Sequence, residues 1–129
     1  MTRPRQIAKP VAAARSYTNP ARTLNTAFQI STTRDADVSY AVDVQIQSLL
    51  LGAAQGTTTL QYADNSGMST NLVTVISGTN RTSGVLNLDN TGTVALTGKI
   101  PAGKFVRLLT ATNTGTVVFT FRTAQEVLL

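Results

Sequence analysis

Six side chains carry all the carboxylate chemistry open to this chain: Asp35, Asp37, Asp43, Asp64, Asp89 and Glu126. Only Asp35 and Asp37, in the run TTRDAD, stand close enough in sequence to suggest an acid/base pair or two ligands of a calcium ion. Their surroundings favour turn chemistry. No glycine lets the segment wrap a cation, and the adjacent Arg34 neutralises one carboxylate. Asp64 and Asp89 open the strings DNSG and DNTG, in which aspartate caps its own backbone. Asp43 falls on the polar side of an alternating segment, solvated or paired. The chain has no His and no Cys, which removes imidazole bases, thiol nucleophiles, disulfides and every Cys/His metal site. A Ser-His-Asp triad is therefore impossible, the sparse lysines form no convincing Ser–Lys dyad, and neither GxGxxG nor a P-loop is present. These absences predict a protein that is not an enzyme and takes no cofactor.

The remaining charge is unevenly distributed. Residues 1–34 hold Arg3, Arg5, Lys9, Arg15, Arg22 and Arg34 without one acid, so the net charge of +5 belongs to the N-terminal region. Residues 1–22 show neither a helical nor a strand period and are interrupted by Pro4, Pro10 and Pro20. They read as an extended basic arm, with one helical turn conceivable over 11–15. Arg3, Arg5, Lys9, Arg15, Tyr17 and Arg22 are its candidate contacts. The charges are dilute for a nucleic-acid tail, and only Tyr17 could stack on a base. Docking on a neighbouring subunit is the stronger expectation. No run of 18 apolar residues crosses a membrane, and no apolar h-region marks a signal peptide.

The elements that would have to position any site are strands. Threonine occurs 22 times, and the apolar residues are chiefly Val, Leu, Ile and Ala. The clearest segment lies at 38–50, where Val38, Tyr40, Val42, Val44 and Ile46 point one way and Ser39, Asp43, Gln45 and Gln47 the other. Further strands are expected at 23–30, 57–63, 71–77, 85–88, 93–100, 104–111 and 116–122. Turns at 52–56, 64–67, 78–80, 89–92, 100–103 and 112–115 separate them. This spacing, with no helical stretch between strands, predicts an all-β fold: an antiparallel, jelly-roll-like β-sandwich of about eight short strands over residues 23–129. In 104–111 both faces are largely apolar. That marks Phe105, Arg107 and Leu109, together with Val118 and Arg122 on the next strand, as a candidate subunit interface or a second core layer.

Two blocks of sequence carry a resemblance. ARSYTNPARTLNTAFQISTTRDADVSYAVDV (14–44) resembles the opening of a small β domain of tailed-bacteriophage virion proteins, in which R-S-x-x-N-P-x-R-x-L-N-x-x-F-Q-I-S precedes a long alternating strand. IPAGKFVRLLTATNTGTVVFTFRTAQEVLL (100–129) is similar to that family's close, with Ala124 where its terminal G-Q-E-x-L-L motif has Gly. The resemblance implies a tail- or tail-fibre-associated structural part of a virion, assembled in the host bacterial cytoplasm. It implies association with itself, as a trimer in fibre or vertex components, and with other virion proteins. A capsid decoration or cement protein is the alternative setting. A glycan-binding module is another, for which Tyr17, Tyr62 and Phe105 are the only aromatics to stack on a sugar.

Overall fold

The computed structural model describes residues 14–47, 53–82 and 90–129. They form eight strands: β1 (Ser16–Thr18), β2 (Phe28–Gln29), β3 (Ala36–Ile46), β4 (Ala54–Ala63), β5 (Val73–Thr82), β6 (Asn90–Ile100), β7 (Phe105–Thr114) and β8 (Val117–Leu128). Two four-stranded antiparallel sheets, ordered β1-β8-β3-β6 and β2-β7-β4-β5, pack as a β-sandwich, as expected from the alternation and turn spacing. The sheet containing β3 is called sheet A and the other sheet B.

β3 supplies the centre of the core. Ala36, Val38, Tyr40, Val42, Val44 and Ile46 are buried in strict alternation, because successive side chains of a strand leave opposite faces. Leu96 of neighbouring β6 lies beside them, and Leu60 of β4 and Val106 and Leu108 of β7 meet them across the interior. Two expected turns form where predicted, although in the first Asn65 and not Asp64 makes the backbone cap. In the β4–β5 loop, the Asn65 side-chain carbonyl accepts the Ser69 and Thr70 amides, each at 3.0 Å. After β6, Gly103 takes φ of 79° and donates its amide to the Ser31 carbonyl at 2.8 Å.

Other boundaries move. β4 begins at Ala54 inside the expected 52–56 turn, β5 runs through the expected 78–80 turn, and β6 begins at Asn90 inside DNTG. Cross-strand pairing outweighs local turn preference at these positions: Gly92 pairs with Val44 and Asn90 with Ile46, while Gly78 pairs with Thr58. The strand expected at 23–30 shrinks to Phe28–Gln29, and 85–88 lies outside the described residues.

The basic arm also ends earlier than its composition suggests. Ser16–Thr18 form β1 and pair with Leu128–Glu126 of β8, so residues 14–22 belong to the sandwich of their own chain. Prolines and missing periodicity disguise this segment, since three ladder residues are too few to show a period. The proposed helical turn at 11–15 falls largely outside the described residues.

β5 and β6 close one side of the sandwich without sharing a ladder. Gly78 of β5 lies against the Val94 side chain, and Gly98 of β6 lies against Val75. A Cβ at either glycine would enter its valine partner, so the sheets approach here only because no side chain intervenes. Gly78→Ala is expected to destabilise the fold by about 1–3 kcal/mol through overpacking. A lowered urea midpoint with unchanged m-value is the readout.

Candidate functional site

The carboxylates considered for catalysis are held apart. Asp35 accepts the Ala102 amide at 2.8 Å and faces Lys99 at 3.7 Å, whereas Asp37 is exposed on β3. The pair is thus divided between a turn-stabilising bond and a wet face. Asp43 accepts the Thr93 hydroxyl at 2.8 Å and lies 3.6 Å from Arg122. Asp64 is bound by Lys104 and, at 2.6 Å, by the Asn71 amide. The Lys104 hydrogen bond first, and then that of Asn71, hold its carboxyl below the usual range. Asp89 lies outside the described residues. Among the described residues no group of three His, Cys, Asp or Glu side chains could hold a metal ion.

The sixth acid is the one that organises the molecule. Glu126 of β8 is 2% exposed and receives Arg22 Nε at 2.9 Å and Arg22 Nη2 at 2.6 Å, a two-pronged ion pair. The Tyr40 hydroxyl donates to Glu126 Oε2 at 2.6 Å. The Arg22 guanidinium lies 4.1 Å from the centre of the Phe28 ring, whose edge-to-face contact with Tyr40 has centroids 6.1 Å apart. Arg22 therefore ties β8 and β3 of sheet A to β2 of sheet B. Burial, then the hydrogen bond to Glu126, pushes the Tyr40 phenol well above its ordinary value. Such a charge is tolerated inside only because bidentate pairing and a third donor replace its water.

Composition lists Glu126 and Arg22 but gives no sign that they meet. In β8, Val117, Phe119 and Phe121 pack on the core, so simple alternation would send residue 126 outward. The register with β3 shifts, however. Val42 pairs with Phe121 and Ala41 with Thr123, leaving Arg122 as the extra residue of a bulge. The bulge reverses the parity, and Ala124 and Glu126 turn inward.

The candidate interface is not one surface. Phe105, Arg107 and Leu109 sit half-buried on the outer side of sheet B, where the Arg107 guanidinium donates to Gln61 at 3.0 Å. Val118 and Arg122 lie exposed on the outer side of sheet A. β7 and β8 are consecutive but unpaired: the chain crosses from one sheet to the other at Gly115–Thr116, which separates the two groups by the thickness of the sandwich. Of the arm contacts, Arg22 is in the interior ion pair, Arg15 and Tyr17 are exposed, and Arg3, Arg5 and Lys9 lie outside the described residues. Among the aromatics considered for sugar stacking, Tyr17 is 63% exposed, while Tyr62 and Phe105 are half-buried.

Beside β8 an open groove of about 580 Å³ follows the course that β1 vacates. β1 covers only Glu126–Leu128, the Asn19 carboxamide reaches the Ala124 carbonyl at 3.0 Å, and Pro20 then carries the chain inward to Arg22. Asn19–Ala21 form one wall, and Phe121–Gln125 form the floor. Comparison with protein families, with characterised proteins and with solved structures finds no match to this chain.

Removing one member of the buried pair leaves the other uncompensated. Arg22→Ala is expected to cost about 3–5 kcal/mol, whereas the double change Arg22→Met/Glu126→Leu should recover most of that loss. Urea unfolding of the three proteins checks the coupling. Tyr40 adds a pH signature. A phenol raised on folding contributes stability that is complete below the unfolded value of about 10 and declines as pH rises beyond it. Wild type should lose stability more steeply than Tyr40→Phe above that pH in thermal melts.

Proposed function

We propose that this chain is a non-enzymatic structural component of a bacteriophage virion. It acts as a tail- or tail-fibre-associated part that assembles with itself and with other virion proteins. The observation that carries this reading is where the two blocks of resemblance meet. Arg22 and Phe28 come from the first block and Glu126 from the second, and they form the buried cluster. Gln29 donates to the Gly103 carbonyl at 3.0 Å, and Asn25 brackets Thr110 through its side-chain amide and carbonyl, at 2.9 and 2.8 Å. The residues that carry the resemblance thus serve as framework rather than as a reactive centre.

The absence of an enzyme function is supported by the structural bonds made by Asp35, Asp43 and Asp64 and, among the described residues, by the one buried acid being committed to Arg22 and Tyr40. On this reading, residues 1–13, with Arg3, Arg5 and Lys9, anchor the sandwich to the particle. Quantitative mass spectrometry of purified particles tests the setting. Tens of copies per virion are expected for a tail component, and hundreds would replace that location with capsid decoration. Absence from the particle would overturn the proposal. Deleting residues 1–13 is expected to leave the melting temperature of the sandwich within a few degrees of the full chain while abolishing incorporation. Unchanged incorporation would overturn the anchoring role.

A further inference from the structure

We propose that the edge of β8 from Val117 to Phe121 pairs with the same segment of a second copy of this chain, joining two copies of sheet A across a two-fold axis. The inference stands on the geometry of β8 and does not depend on the virion reading. An open strand edge offers unpaired amides and carbonyls to any other strand, so proteins cover or charge their edges. This sandwich protects its edges unevenly, with β5 and β6 the outer strands of their sheets on the opposite side. β5 and β6 pack on each other through Gly78 against Val94 and Gly98 against Val75, with no ladder between them. The β7 edge is met by β2 and then by Asn25, whose amide donates to the Leu108 carbonyl at 2.8 Å. Along β8, β1 pairs only with Glu126–Leu128. Among the described residues no strand covers β8 from Val117 to Thr123.

That stretch lacks the usual protection. From Val117 to Phe121 it has no charge and no proline, and the first charged side chain is Arg122 at the bulge. Val118 is 41% exposed, and Val117, Phe119 and Phe121 are only half-buried although they face the core. The core therefore remains partly open on this side.

The segment is complementary to itself. In an antiparallel ladder centred on Phe119, Phe119 faces its counterpart and Val117 faces Phe121 of the other copy. On the outer face Val118 faces Thr120. The inward row then consists of aromatic and β-branched pairs, which stabilise neighbouring strands, and no charge meets a like charge. Arg122 of each copy falls beyond the ladder. A charged partner strand would find no counter-charge between Val117 and Phe121, whereas a second β8 brings no charge and sets aromatic against aromatic and β-branched side chains. The isologous contact closes at two copies. A ladder this short belongs with weak, concentration-dependent contacts rather than with stable interfaces of roughly 1,200–2,000 Å².

Sedimentation equilibrium of the full chain over a wide concentration range tests this. The mass is expected to rise from one copy of 13.6 kDa towards two. Val118→Lys/Thr120→Lys places like charges opposite each other twice and should weaken association about tenfold or more. Val118→Glu/Thr120→Lys places opposite charges at the same positions and should restore it, in a salt-sensitive manner. Circular dichroism confirms that both variants fold. A single copy at every concentration, a limiting mass of three copies, or equal behaviour of the two double variants would overturn the proposal.

Discussion

A carboxylate in the interior of a small sandwich imposes its needs on everything around it. Glu126 is almost inaccessible, and an unpaired charge there would be far costlier than any single apolar contact is worth. Arg22 must therefore arrive from outside the sheet with both nitrogens aligned, and Tyr40 must present its hydroxyl from the neighbouring strand. Those requirements explain the path of residues 14–22. β1 docks on the end of β8, Pro20 ends the ladder, and the chain enters the gap between the sheets at the one place where an arginine can reach the acid. Phe28 then supplies the face on which the guanidinium rests. One ion pair thereby sets the entry of the chain and fastens sheet A to sheet B.

The bulge at Arg122 makes this arrangement possible. Without an extra residue, alternation along β8 would turn either Phe119 and Phe121 or Glu126 away from the interior. With it, the first half of the strand contributes apolar packing and the second half contributes the acid. Arg122 itself stays outside, where it donates to the Thr93 hydroxyl at 3.0 Å and lies near Asp43. A bulge also increases local twist. It sits at the boundary between the part of β8 that β1 approaches and the part that no described strand covers.

The two sides of the sandwich are closed by different physics. On the β5–β6 side, glycines remove side chains so that valines of the opposite sheet can fill the space. On the β7–β8 side the closure is polar and incomplete, made by Arg22, Asn25 and a two-residue strand. Asn25 adopts φ of 63°, a conformation asparagine tolerates better than most residues, and this lets one residue cap the β7 edge with backbone and side chain together. The consequence is an asymmetric domain, with one flank packed through glycine–valine contacts and the other closed by polar bonds.

Much of the fold was legible in sequence because the signals were local. The alternation of β3, the Asn65 and Gly103 turns, and the lack of imidazole and thiol chemistry can all be read from adjacent residues. By itself, then, the sequence determined the all-β class, the sandwich, the strand that forms its centre, and the chemistry that the chain lacks. Tertiary structure alone decided that Arg22 belongs to the core, that Glu126 faces inward, and that Phe105 and Val118 lie on opposite outer faces. Each of these rests on a long-range choice: a register shift in β8, a crossover at Gly115, and an ion pair between residues at opposite ends of the chain. Such choices are governed by the balance of burial and pairing across the whole sandwich, and a local pattern of residues carries no mark of them.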